Sequence, residues 1–288
     1  MIHRRTKCSR RFLFEFPLSA MRVQINHSTV YRYEPPAARV IQLLRLTPRD
    51  HEGQHVLRWR IDVSADARLT PHEDAFGNIT HVFTAAGPLA ELRIDVDGAV
   101  ETQDTQGVVN GAVERFPPNL FLRATRLTAA DEAIRDFAER VRADCAGDAL
   151  AQAHALLQGL NREMVFDVEM TDVVPSASEA FALKRGVCRD LCHVFIAAAR
   201  CLGVPARYIA GYLQLADGRI DQEAGHAWAE ALIPEIGWVG FDPANGVCPT
   251  EAYVRVAVGL DSIGAAPVRG TRFGVGSENL EVAIKVGQ

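Results

Sequence analysis

Residues 186–243 restrict the possible folds of this chain more than any other stretch. Cys188, Leu191, Phe195, Ala198 and Leu202 recur every three or four residues, so they share one face of a helix. Gly203 and then Pro205 supply the C-terminal glycine and the proline that end such a helix. Three strand-like runs follow: Ala206 to Leu213, His226 to Leu232, and Trp238 to Asp242, which stops at Pro243. Asp217-Gly218 reads as a hairpin turn between the first two, and Pro234 to Gly237 joins the second and third. A helix followed by strands that run back and forth predicts an α+β architecture, with the helix packed on an antiparallel sheet.

This order places reactive groups at defined positions. Cys188 falls at the helix N-terminus, where unpaired N–H groups and the helix dipole favour a thiolate. Lys184, Arg185 and Arg189 add positive charge nearby. A buried structural cysteine is the plain alternative, because free Cys packs as a small hydrophobe. By alternation His226 shares a strand face with Trp228 and Glu230, and Asp242 ends the neighbouring strand at the same open end. A symmetric turn over Pro234 to Gly237 sets Asp242 opposite Ala229, so a bulge, an asymmetric loop or twist must bring it to His226. Asp190 and His193 are spaced to pair with each other. At about 100° per residue His193 lies about 140° around the helix from Cys188, a poor place for its base. Cys192 reads as core or as a resolving thiol, and Trp228 as a cleft wall, a core ring or an indole donor. Asn245 has a turn role or a bond to the site open to it.

The first part of the chain reads as β. Leu57, Trp59, Ile61 and Val63 alternate with charged residues, as do Leu92, Ile94 and Val96, with Phe76-Gly77-Asn78 as a turn between them. Gly107, Gly111 and Pro117-Pro118 then interrupt any period. Helices follow: Thr128 and Asp131 are spaced like a capping box, Ile134, Phe137, Val141 and Cys145 form one face, and 148–163 is a second helix. The basic residues before Phe12 superficially resemble a secretory signal, but Glu15 and Pro17 break the apolar stretch, and a start at Met21 fits the strand pattern that begins there. Six sparse cysteines fit reduced thiols in a cytoplasmic protein better than a disulfide scaffold. A net charge of −5 with scattered basic residues gives no expectation of nucleic acid, and no apolar run reaches the length of a membrane span.

Four blocks occur in order: Gly186-Val187-Cys188-Arg189-Asp190, Ala206-Arg207-Tyr208-Ile209-Ala210-Gly211-Tyr212, His226-Ala227-Trp228 and Gly237-Trp238-Val239-Gly240-Phe241-Asp242-Pro243. As a set they resemble the transglutaminase-like cysteine enzyme superfamily of the papain-like fold. The β-rich region after Met21 resembles the N-terminal domain of its bacterial two-domain members. The resemblance implies a nucleophile at Cys188, its imidazole partner at His226 and an orienting carboxylate at Asp242, acting by thiol-dependent acyl transfer on amide substrates without a cofactor. It implies a β-sandwich-like domain over 21–105, a linker over 106–126 and a papain-like core over 127–260. A C-terminal segment, 261–288, is expected to return as a strand to the sheet, and residues 1–20 form an extension expected to be disordered. Arg189 stands where Gln is common, Leu191-Cys192 replaces a Phe-Ala pair, and Val258-Gly259-Leu260-Asp261-Ser262 lacks the usual Arg and Tyr. These departures bear on specificity. A protein, a peptide or a small amide remain possible substrates, with Trp228 a candidate contact. Two other readings are a catalytically silent binding module and a zinc protein using Cys188, Cys192 and His226.

Overall fold

Two very long strands organise the N-terminal half. The computed structural model describes residues 20–145, 147–167 and 174–288; the expected extension over 1–20 lies outside them except for Ala20. Strand β1 (Ala20–Thr47) pairs antiparallel with β4 (Ile79–Gln103) along nearly its whole length, with register shifts around Arg32 to Arg39. On the outer side of β4 lie β2 (Gln54–Val63) and β3 (Thr70–Glu73). Leu92, Ile94 and Val96 are buried as alternation predicts, and residues from both halves of β1 and β4, among them Tyr31, Leu44, Phe83 and Leu92, meet in one apolar cluster. The sheet therefore folds over on itself like a sandwich. One alternating residue departs from expectation: a bulge between Val56 and Arg58 turns Leu57 out to solvent.

The core domain begins with β5 (Val108–Val109), a short 3-10 turn (Pro118–Leu122), α1 (Glu132–Cys145) and α2 (Ala149–Glu163). Next come β6 (Val165–Phe166), α3 (Ala177–Leu183), β7 (Arg185–Gly186) and α4 (Cys188–Cys201). The chain then adds β8 (Ala206–Leu213), β9 (Asp221–Gln222), β10 (His226–Ile233), β11 (Gly237–Phe241) and β12 (Tyr253–Gly259). These build an antiparallel sheet in the order β12-β8-β10-β11-β5, while β6 and β7 form a small parallel pair. The cap of α1 is Asp131, whose carboxylate accepts from the Ile134 N–H. Thr128 instead accepts from Thr125 N–H and from Arg200. Helix α4 is buried all round from Asp190 to Ala199, because α1, α2 and α3 cover the side that β8 and β10 leave open. Ala227, Ala229 and Ala231 on β10 are small, which lets the helix approach the sheet closely.

The stretch between the domains is part of the packing. Besides β5 on the core sheet, it supplies Phe121, edge-on to Trp238, and Glu114, which grips Arg207 through both carboxylate oxygens. The C-terminal segment forms two strands, β13 (Val268–Phe273) and β14 (Ser277–Gly287), and both pair with β1, in the N-terminal sheet. Asp217-Gly218 does not make a tight hairpin. The connection from β8 to β10 is longer and sends β9 across to pair with β14.

A buried ion cluster sits where these parts meet. Glu230, with no exposure, accepts from Arg207 at 2.6 Å and from Arg255 at 2.7 Å. Burial alone would raise its pKa, but the two guanidiniums outweigh that and hold it at about 2. Arg255 also exchanges backbone hydrogen bonds with the Gln54 side chain of the N-terminal sheet. Substituting Glu230 by Ala leaves two buried guanidiniums without their shared partner, and should lower the unfolding free energy by about 3–5 kcal/mol. Urea denaturation at neutral pH measures this; an unmoved midpoint would show that the cluster contributes nothing to stability. The depressed pKa gives wild type a stabilising term that is present above pH 4.5 and lost as pH falls toward about 2, and the variant should lack it.

Candidate functional site

Local structure at the start of α4 presents Cys188 to solvent while fixing its backbone. Asp190, three residues past the cap residue Val187, reaches back to accept from the Val187 N–H at 3.1 Å. Its carboxylate also accepts from Arg189 Nε at 2.9 Å. Gly186 is required for this turn, since a Cβ there would sit 2.8 Å from the Asp190 Cβ. The expected pairing of Asp190 with His193 does not form. His193 accepts from the Ser262 N–H, packs on Tyr208, and is held neutral at a pKa of about 3, chiefly by burial. Cys188, the first helical residue, is half-buried, and its N–H is one of those that a helix start leaves without an intrahelical partner. Cys192, one turn on, has no exposure, and burial pushes its thiol well up; it is core.

The loop between β10 and β11 determines where Asp242 falls. Ile233 pairs with Gly237 and Ala229 with Phe241, so the loop is the three residues Pro234, Glu235 and Ile236. Glu235 and Gly237 carry the positive φ angles that close it. A symmetric four-residue turn would have moved every partner by one and reversed the face. Continued one step, the observed register brings Asp242 level with Trp228, two residues from His226 and on its side of the sheet. No bulge is needed.

The consequence is a short bond: His226 Nε2 lies 2.6 Å from Asp242 Oδ2. Cys188 lies close enough to the His226 ring to act on its charge. Cys188, His226 and Asp242 are therefore brought together from α4, β10 and the end of β11. Burial opposes charge on the ring, but Asp242 and Cys188 outweigh it and raise the His226 pKa to about 10. Asp242, with no exposure, is held below the usual carboxylate range by His226, Asn245 and Tyr253, against the effect of burial. Tyr253 Oη donates to Asp242 Oδ2 at 2.8 Å, and Asn245 donates to the same oxygen at 2.7 Å. Asn245 thus has both of the roles open to it, because its N–H also closes the turn on Oδ1. Sequence reasoning missed Tyr253. The pairing of β12 with β8 delivers it, and no local spacing reveals that pairing.

Trp228 is only 2% exposed. Its ring lies nearly parallel to His226 at 6.3 Å and edge-on to Tyr253 at 5.4 Å, so it supports the imidazole from inside and does not offer a face to substrate. An open groove of about 430 Å³ is lined by Arg189, the residue after Cys188, and by Tyr208, Ala210, Ile263, Pro267 and Arg269, among others. Among the described residues no group of three or more His, Cys, Asp or Glu side chains is arranged to hold a metal ion, and no helix is long and apolar enough to cross a membrane.

A cysteine at the N-terminus of a buried helix, above an antiparallel sheet that carries a histidine and an aspartate, is the architecture of the papain-like fold. Residues 135–243 match the transglutaminase-like superfamily and residues 23–101 the bacterial transglutaminase-like N-terminal region. Residues 135–243 are thus a transglutaminase-like core, preceded by the bacterial transglutaminase-like N-terminal region. The chain is 29% identical to an uncharacterized protein of Mycobacterium leprae, over 92% of this chain and 98% of that one. It is 32% identical to a Pseudomonas aeruginosa protein-glutamine gamma-glutamyltransferase, over 42% of this chain but only 20% of that protein. The structure of a candidate cysteine protease from Cytophaga hutchinsonii shares the fold, with a TM-score of 0.72 at 23% identity over 92% of this chain and 90% of that one.

Because the ring stays protonated below about pH 10, His226 should show both N–H protons at pH 8 in a ¹H–¹⁵N spectrum. Asp242→Asn removes the charge that stabilises the imidazolium, so the titration should move down toward the ordinary histidine value of 6.5. An unchanged titration in that variant would show that Asp242 does not set the charge on His226.

Proposed function

We propose that the chain is a thiol-dependent acyl-transfer enzyme acting on amide substrates, with Cys188 as nucleophile, His226 as acid and base, and Asp242 as the group that orients and charges the imidazole. The observation that carries this reading is the 2.6 Å bond from His226 to the wholly buried Asp242, close to the Cys188 helix start; the same carboxylate raises the pKa of the ring. A protonated ring beside Cys188 stabilises a resting thiolate, which is the nucleophilic form. The transglutaminase-like core supports the same chemistry, as does the local similarity to a relative named for glutamine gamma-glutamyl transfer.

In this mechanism the Cys188 sulfur attacks the carboxamide carbon, and the carbonyl π electrons move to oxygen. The Cys188 N–H is positioned to donate to that oxyanion. Collapse re-forms the carbonyl and breaks the C–N bond. The leaving amine takes the proton from His226, and a thioester remains on Cys188. An acceptor, water or an amine, then attacks the thioester while neutral His226 removes its proton. Cys188 leaves as thiolate, which restores the ion pair. Asp242 remains ionised throughout, since its hydrogen-bond donors hold it so. Water as acceptor gives hydrolysis, and an amine gives transamidation.

Alkylation by iodoacetamide tests the reading before any substrate is known. At pH 6 Cys188 should react at least about tenfold faster than free cysteine, because only the thiolate attacks. His226→Ala and Asp242→Ala should both slow it. On a responsive amide substrate, Cys188→Ala should reduce turnover by about three orders of magnitude or more. A thiol that reacts at the free-cysteine rate in all three proteins would leave the chain a binding module of the same fold.

A further inference from the structure

We propose that the groove lined by Arg189, the residue after Cys188, is a subsite for a carboxylate carried by the acyl donor, so that acidic peptides are the preferred substrate class; this rests on Cys188 being the nucleophile. The groove contains two guanidiniums. Arg189 is the residue after Cys188, and only its Nε is engaged, by Asp190; its terminal nitrogens make no hydrogen bond among the described residues. Arg269 lies on β13, is exposed, and has no carboxylate within salt-bridge distance among the described residues. Between them Ala210, Ile263 and Pro267 form an apolar wall suited to an aliphatic stem. Among the described residues the nearby acids are already engaged. Asp190 has no exposure and is bonded to Val187 and Arg189, while Asp261 is 9% exposed and caps the turn at Gly264. His193, underneath, is neutral.

The two arginines come from different domains. Arg189 belongs to the nucleophile helix, whereas β13 pairs with β1 and places Arg269 beside Leu43 in the N-terminal sheet. The β domain thus contributes directly to substrate choice, since it supplies half of the positive charge lining the groove. Arg189 in place of a Gln after the nucleophile fits the same selection. A carboxylate between two guanidiniums in a partly apolar groove makes charge-assisted hydrogen bonds that an amide cannot match.

The test uses two bromoacetyl dipeptide amides that differ only in Glu versus Gln, and compares the second-order rates at which they alkylate Cys188 at low ionic strength. Wild type should prefer the Glu reagent by about tenfold. Added salt should shrink that preference. Arg269→Gln should bring the Glu-to-Gln ratio close to one, while Arg93→Gln, which removes an equal charge from a distant strand, should leave it intact. If both reagents label Cys188 rapidly and at equal rates, the anionic subsite is overturned and the nucleophile stands. A preference that survives Arg269→Gln, or falls equally in Arg93→Gln, overturns it too. Labelling by both reagents no faster than that of free cysteine overturns the nucleophile reading and the subsite together.

Discussion

The Asp242 carboxylate, wholly removed from solvent, depends on being surrounded by donors. His226, the Asn245 side chain and the Tyr253 hydroxyl reach one oxygen, and the N–H groups of Ala244 and Asn245 reach the other. A buried carboxylate lacking such partners would take up a proton. With them it stays charged, and its charge in turn holds His226 protonated beside the thiol. Four elements of the core contribute to this arrangement. Helix α4 brings Cys188, β10 brings His226, β11 leads directly into Asp242, and β12 brings Tyr253. The three-residue loop after Ile233 sets the register on which the arrangement rests.

Much of this was legible in the sequence, for identifiable reasons. The period of α4, its closing Gly203 and Pro205, and the alternation in β10 are local patterns, and they correctly located the helix and the strand that carries His226. What misled was counting. Taking Gly237 as part of the turn, and not as the first residue of β11, displaced the register by one and so turned Asp242 to the wrong face. The bulge at Leu57 is the same kind of error in the other domain. Tyr253 and the Glu230 cluster were invisible for a different reason. Their partners lie on separate elements, joined only by strand pairings with no local signature.

The division of the chain into a β domain and a transglutaminase-like core describes its sequence better than its packing. Strands β13 and β14 leave the core and pair with β1, and β9, from the middle of the core, pairs with β14. The chain therefore crosses between the domains repeatedly. Val23, Ile25 and Val100 of the long strands belong to the same apolar cluster as α4, and so do Ile284 and Val286 of β14. Tyr212 of β8 also makes a polar contact across this boundary, to His27 at 2.9 Å.

Such a shared core has a structural consequence. A groove with one wall on α4 and β8 and the other on β13 keeps its width only if the two sheets hold a fixed relation. The cluster of Glu114, Arg207, Glu230 and Arg255, further along β10 from His226, is tied to the N-terminal sheet through the bonds of Arg255 to Gln54. Buried ion pairs are a poor source of net stability compared with apolar packing, yet breaking one is costly. That asymmetry suits a joint whose task is to prevent sliding. The apolar cluster shared between the domains supplies the burial that holds the sheets together.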